Sequence, residues 1–336
     1  MALSLLPTAA LADEGKVAQV DGTEYTTLQA AIGAASSGAT VKLLGNVDLA
    51  ETLIIKDKTI TLDLNGKTIS NSTDIWNESI YAWSLISVRD NGNLTIDDTA
   101  AGGGTLKAKE NDCFALDVYA YDTKNVENTK LTINAGNYVG NISAVYAFTG
   151  KVTINGGHFS IQQKESGSDP YRLTLNCYDD SYKAGRAGFT VNGGTFSHFD
   201  PANNLAEGSD TNFCTADYTT VQDGDNYTVK PWAEVAVAKV GDTYYKTLAA
   251  AVTAAKDGNT VKILRDVNTA ERHDVVGKKL ILDLNGQTIT TTIAEQFMNI
   301  RGGGKLTVTD NSASKDGKII SPTGDYIFVV FKGELD

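Results

Sequence analysis

The chain has 336 residues, more than one ordinary compact core needs, and suits a repeat array or two domains. Forty-one Asp and Glu against 29 Lys and Arg give a formal net charge of −12, which excludes the basic face of a nucleic-acid binder. With 32 glycines but only five prolines and two methionines, the composition favours many short strands joined by tight turns.

In chain order, the first segment is "MALSLLPTAALA", residues 1–12. It is apolar, and Ala10-Leu11-Ala12 fits the small-x-small pattern of a signal-peptidase site, although the positively charged start is missing. It reads as a residual signal peptide, with Asp13 as the mature N-terminus and a secreted or cell-surface location. No later stretch approaches the roughly 20 apolar residues that span a bilayer.

A helix is predicted next. Thr27 is placed to N-cap it, Leu28, Ala31, Ile32 and Ala35 fall on one face, and Gly38 supplies a stop. Strand-like "TVKLL" and "TITLDLNGKTIS" follow. Two polar insertions come after them. Residues 70–84, "SNSTDIWNESIYAWS", carry Trp76, Tyr81 and Trp83, and residues 119–130, "YAYDTKNVENTK", carry Tyr119 and Tyr121. Aromatics set among Asn and Asp suit stacking on sugars or anchoring a protein partner. The competing expectation is that they fold back over the edge as local packing.

The middle of the chain repeats one phrase: "KLTINAGNYVG" from Lys130, "KVTINGGHFS" from Lys151 and "GFTVNGGTFS" from Gly188. Leu131 and Val152 lie 21 residues apart, room for three short strands and three turns. Alternation turns Leu131 and Ile133 inward and Thr132 outward. Asn134, Asn155 and Asn192 then share one corner, where stacked side chains form a ladder and the backbone tolerates left-handed angles. Stacking such passes gives a parallel β-helix, with the helix at 28–35 covering one end and a hairpin around Asp223-Gly224, within residues 212–229, closing the other.

From Val237 the chain starts again. "VAKVGDTYYKTLAAAVTAAKDGNTVKILRDV" repeats, 220 residues later, the stretch that begins at Val17. About half of the aligned positions are identical, far beyond what composition gives. The reading is therefore residues 13–230 as a first domain and 231–336 as a second, incomplete one. An apolar end near Asp336 would then be open to self-association.

The segments "YTTLQAAIGAASSGATVKLL", "TITLDLNGKTIS" and "INGGHFS" resemble the pectin-lyase-like proteins, and most closely the repeated surface modules of anaerobic gut bacteria. The resemblance implies an all-β fold, a right-handed parallel β-helix with a short capping helix, in two tandem copies. It marks fold and not activity. Enzymes of this fold cleave polysaccharides, and their signatures are absent: His158 lacks a Gly-His-Gly setting, and no Arg-x-Pro-x-x-Arg occurs. Asp97-Asp98 and Asp179-Asp180 are adjacent pairs, and neighbours on a strand point to opposite faces. His158 and His198 read as surface residues near corners.

Cys113, Cys177 and Cys214 have no zinc-ligand spacing, and Cys177 alternates in phase with Leu173 and Leu175, as a buried thiol would. No catalytic residue, metal or cofactor is expected. The preferred expectation is a non-catalytic surface module that binds a glycan or a host surface protein. A polysaccharide lyase or glycoside hydrolase, and a structural spacer, stand as alternatives.

Overall fold

The computed structural model describes residues 15–100, 103–163, 173–322, 324 and 326–336. The leader at 1–12, Asp13 and most of the polar stretch at 162–171 lie outside the described residues. The fold is mostly β with parallel sheets, and the chain divides into two compact units, Met1–Lys230 and Pro231–Asp336. Their buried apolar clusters have no residue in common.

In the first unit the helix spans Leu28–Ala34, and Thr27 Oγ1 accepts from the Ala30 amide at 3.2 Å. Leu28, Ala31, Ile32 and Ala35 are buried, as the helical spacing requires. The expected glycine stop does not operate. The helix ends at Ala34 with Ala35 in extended conformation, and Gly38, at φ +90°, instead turns the chain into the strand Thr40–Leu43.

From there the chain passes repeatedly through three sheets in one order. The first sheet takes Thr40–Leu43, Thr59–Asp63, Asn93–Asp97, Lys130–Ile133, the second half of Val145–Ile154, and Ala187–Val191, all parallel. The second takes Val47–Asp48, Thr68–Ser70, Thr105–Lys107, Asn137–Gly140, His158–Ile161 and Thr195–Ser197. The third takes Leu53–Lys56, Ser84–Arg89, Phe114–Tyr119, the first half of Val145–Ile154, and Leu175–Cys177.

Register is set by alternation. In the first sheet Leu62, Ile96, Ile133, Ile154 and Val191 stand side by side, all fully buried. In the second, Tyr138, Phe159 and Phe196 form a buried stack with ring centroids 5.0 and 4.8 Å apart. The aromatic that ends each repeated phrase is therefore core.

At the phrase's corner the left-handed angle falls not on Asn134, Asn155 or Asn192 but two residues on, at Gly136, Gly157 and Gly194 (φ near +100°). In the second and third phrases the glycine directly after the asparagine, Gly156 or Gly193, is needed for close approach. A Cβ on Gly193 would sit 2.1 Å from the Asn155 carbonyl oxygen.

Antiparallel hairpins flank the parallel strands. Ala18–Val20 and Thr23–Tyr25 cover Thr40–Leu43. At the far side Asn226–Pro231 pairs antiparallel with Thr195–Ser197, after the strand Tyr218–Asp223.

The second unit repeats the plan with fewer strands. Its helix is Leu248–Ala254, and its parallel rows begin at Thr260–Ile263, Val267–Thr269 and His273–Val276. His273 occupies the buried slot that Leu53 holds in the first copy.

Candidate functional site: the aromatic face of the third sheet

The strand Phe114–Tyr119 points Leu116 and Val118 inward, where both are fully buried, so Asp117 and Tyr119 face the other way. The strand beginning at Val145 repeats this, with Val145 and Ala147 inward and Tyr146 and Phe148 outward. On the outer surface Phe114 stacks on Tyr146 at 5.0 Å, and Phe148 stacks on Trp83 at 5.4 Å and on Tyr178 at 4.6 Å.

The five rings anticipated from the insertions join this array. Trp83 lies 5.8 Å from Tyr119 and 5.6 Å from Tyr81; Tyr121 lies 5.9 Å from Tyr81; Trp76 lies 6.4 Å from Trp83. The rings divide by exposure. Trp83 and Tyr119 are half-buried under their neighbours, while Trp76, Tyr81 and Tyr121 stay 37%, 42% and 65% exposed. Phe114, Tyr146, Phe148 and Tyr178 were not anticipated. The signal was the alternation in "AVYAF", which sets Tyr146 and Phe148 on the face opposite Val145 and Ala147.

Two buried carboxylates position the array. Asp112 fixes the first insertion, accepting from Asn71 Nδ2 at 2.6 Å and from the Ile75 and Trp76 amides at 3.1 Å. Asn77 and Ala82 exchange backbone bonds, and Arg89 donates to the Tyr81 carbonyl at 2.6 Å, so the loop is held at three places. Asp117 lies beneath the rings and accepts from Ser84 Oγ at 2.7 Å and Ser87 Oγ at 2.5 Å. Burial pushes its carboxyl up to about 6, against the two hydroxyl bonds that favour the charged form. Burial likewise raises the Tyr146 phenol to about 12.

The carboxylate pairs considered for catalysis do not converge. Asp97 accepts from Asn134 Nδ2, and Asp98 binds the Gly66 and Gly104 amides at 2.7 and 2.6 Å, so both serve turns. Asp179 and Asp180 open the short helix Asp179–Lys183. His158 is exposed at a strand start, His198 sits 3.6 Å from Asp225, and His273 is buried against Phe297.

Asn134, Asn155 and Asn192 form a continuous row. Asn155 donates to Asn134 at 2.9 Å, Asn192 donates to Asn155 at 3.2 Å, and Thr215 Oγ1 donates to Asn192 at 2.9 Å. Cys113 and Cys177 are buried thiols whose pKa values burial raises, and Cys214 is partly exposed.

Among the described residues no cluster of three His, Cys, Asp or Glu is arranged to hold a metal, and no helix is long and apolar enough to cross a membrane. No family model, curated protein or solved structure matches the chain.

Proposed function

We propose that the chain is a secreted or cell-surface module built as a right-handed parallel β-helix in two copies, and that its first copy binds glycans through the aromatic face of the third sheet. Support for the solenoid comes from the fixed visiting order of three parallel sheets and from the matched inward rows. A right-handed path is the usual one for parallel crossovers.

The observation that carries the functional reading is the ring array itself. Trp76, Tyr81, Trp83, Tyr119 and Tyr121 gather on one surface, three of them well exposed, on loops held by buried hydrogen bonds. Aromatic rings kept in place this way offer apolar faces with polar rims at little ordering cost, which suits pyranose stacking. The reading is non-catalytic because the two acids that position the array are engaged: Asp112 and Asp117 are buried, and each accepts several hydrogen bonds.

A glycan array run beside a lyase and reducing-sugar assay tests it. The expected result is glycan binding without product release, weakened at least tenfold by Trp76→Ala and Tyr81→Ala together. Product release from any polysaccharide would overturn the non-catalytic reading. Binding only to proteins would move the face to a protein partner.

A further inference from the structure

Beside Trp76 a cleft of 420 Å³ opens on the edge of the aromatic face, a volume within the range of small-molecule sites. Trp76, Ile54 and Ile80 line it, 37%, 37% and 58% exposed, so three of the first unit's exposed large apolar side chains meet in one hollow. Glu51, Asp74 and Asn77 supply its polar wall, and no Lys or Arg lines it. Lys109 Nζ donates to Asp74 at 2.6 Å, so of the two carboxylates in this wall Asp74 is paired with a cation. Glu51 has no hydrogen-bond or ion-pair partner among the described residues, so its carboxylate is free to accept from a ligand. Glu51 also borders a second hollow of 270 Å³ that runs toward the helix, which makes it the shared wall of a longer trough.

We infer that this cleft seats one sugar of the bound glycan against Trp76 and that Glu51 selects sugars that are uncharged or carry an amine, rejecting uronates. The inference rests on the glycan-binding reading and adds the ligand's charge class. An apolar wall with an aromatic ring fits the less polar face of a pyranose. An unpartnered carboxylate at the rim accepts from hydroxyls and attracts an ammonium. The same carboxylate repels a carboxylate sugar placed a few ångströms away, by roughly threefold to tenfold in affinity at surface dielectric and physiological salt. The acidity of the chain as a whole acts in the same direction on approach.

The test uses the full chain and three oligosaccharides of equal length, built from glucosamine, N-acetylglucosamine and galacturonate, titrated at low and physiological salt. Glucosamine should bind tightest and galacturonate weakest, with the gap narrowing as salt rises. Glu51→Gln should weaken glucosamine binding about threefold to tenfold more than it weakens N-acetylglucosamine binding. Glu51→Lys should bring galacturonate binding up to match. Glu51 is exposed, so both variants retain the fold. Galacturonate as the tightest ligand, or an order that neither variant alters, overturns the inference and leaves the aromatic reading intact. Binding of other array glycans but none of these three also removes the cleft's role. An array blank for every glycan removes the aromatic reading itself.

Discussion

Asp117 and His273 are buried ionisable groups whose protons act on stability in opposite directions. Asp117 titrates near 6 in the folded chain against an ordinary value of 3.8, so the folded state holds the proton more tightly than the unfolded one. Its contribution is therefore greatest below 3.8 and is lost as pH rises through about 6. A shift of this size corresponds to about 3 kcal/mol. Asp117→Asn should remove that dependence: measured by urea unfolding, the difference between variant and parent should change between pH 4 and 7, and a constant difference would refute the assignment.

His273 has the reverse sign. Burial lowers its pKa below 6.5, and its Nε2 has no hydrogen-bond partner among the described residues. The unfolded chain takes up the proton first, so stability is present above 6.5 and falls as pH drops below it. His273→Leu, which restores the first copy's residue, should stabilise the second unit by about 1–3 kcal/mol at pH 7 and by more at pH 5. A thermal midpoint unmoved at both pH values would count against this.

At the scale of elements, the insertion at 70–84 takes three of its hydrogen bonds from one residue outside it, Asp112. Asp112→Ala leaves the Asn71 amide and the Ile75 and Trp76 backbone N–H groups without their acceptor, at a cost of about 2–4 kcal/mol. Limited proteolysis should then cut near residues 72–82 while the circular dichroism of the sheets is kept, and glycan binding should fall with it. Full protease resistance in the variant would show that Arg89 and the Asn77–Ala82 bonds suffice.

The same contrast explains what could be read beforehand. The helix at Leu28–Ala34 was legible because Thr27, Leu28, Ala31 and Ile32 act within about one turn of each other. The asparagine row was legible because the repeated phrase carries its own register. Asp112 and Asp117 were not, because their partners Asn71, Ser84 and Ser87 are 30 or more residues away and become neighbours only once passes stack. Gly38 misled for a local reason: the helix face is satisfied at Ala35, and the glycine's left-handed angle is needed one turn later.

For the whole molecule, two separate apolar clusters predict two unfolding transitions in calorimetry. His273→Leu should move one of them and Asp117→Asn the other. A single transition that both variants shift equally would mean the units melt as one. Duplication also did not copy the proposed site. The second unit has the shorter "TTTIAEQF" in place of the aromatic insertion, and the slot of Gln29 is Ala249. A 180 Å³ hollow lies beside its helix, with Glu271 at the position of Glu51. Binding should therefore saturate at one glycan per chain.

The asparagine row has a direction. Asp97 at one end only accepts, Thr215 at the other donates, and each asparagine between them accepts from one neighbour and gives to the next. Such a row behaves like a linear polymer with distinct end groups. A rung inserted between the ends finds both of its partners already waiting, and one removed from the middle lets its neighbours rejoin. Neither change disturbs the terminal chemistry. Length in this architecture is thus a variable that gene duplication can alter in whole steps, while the two ends must be inherited intact.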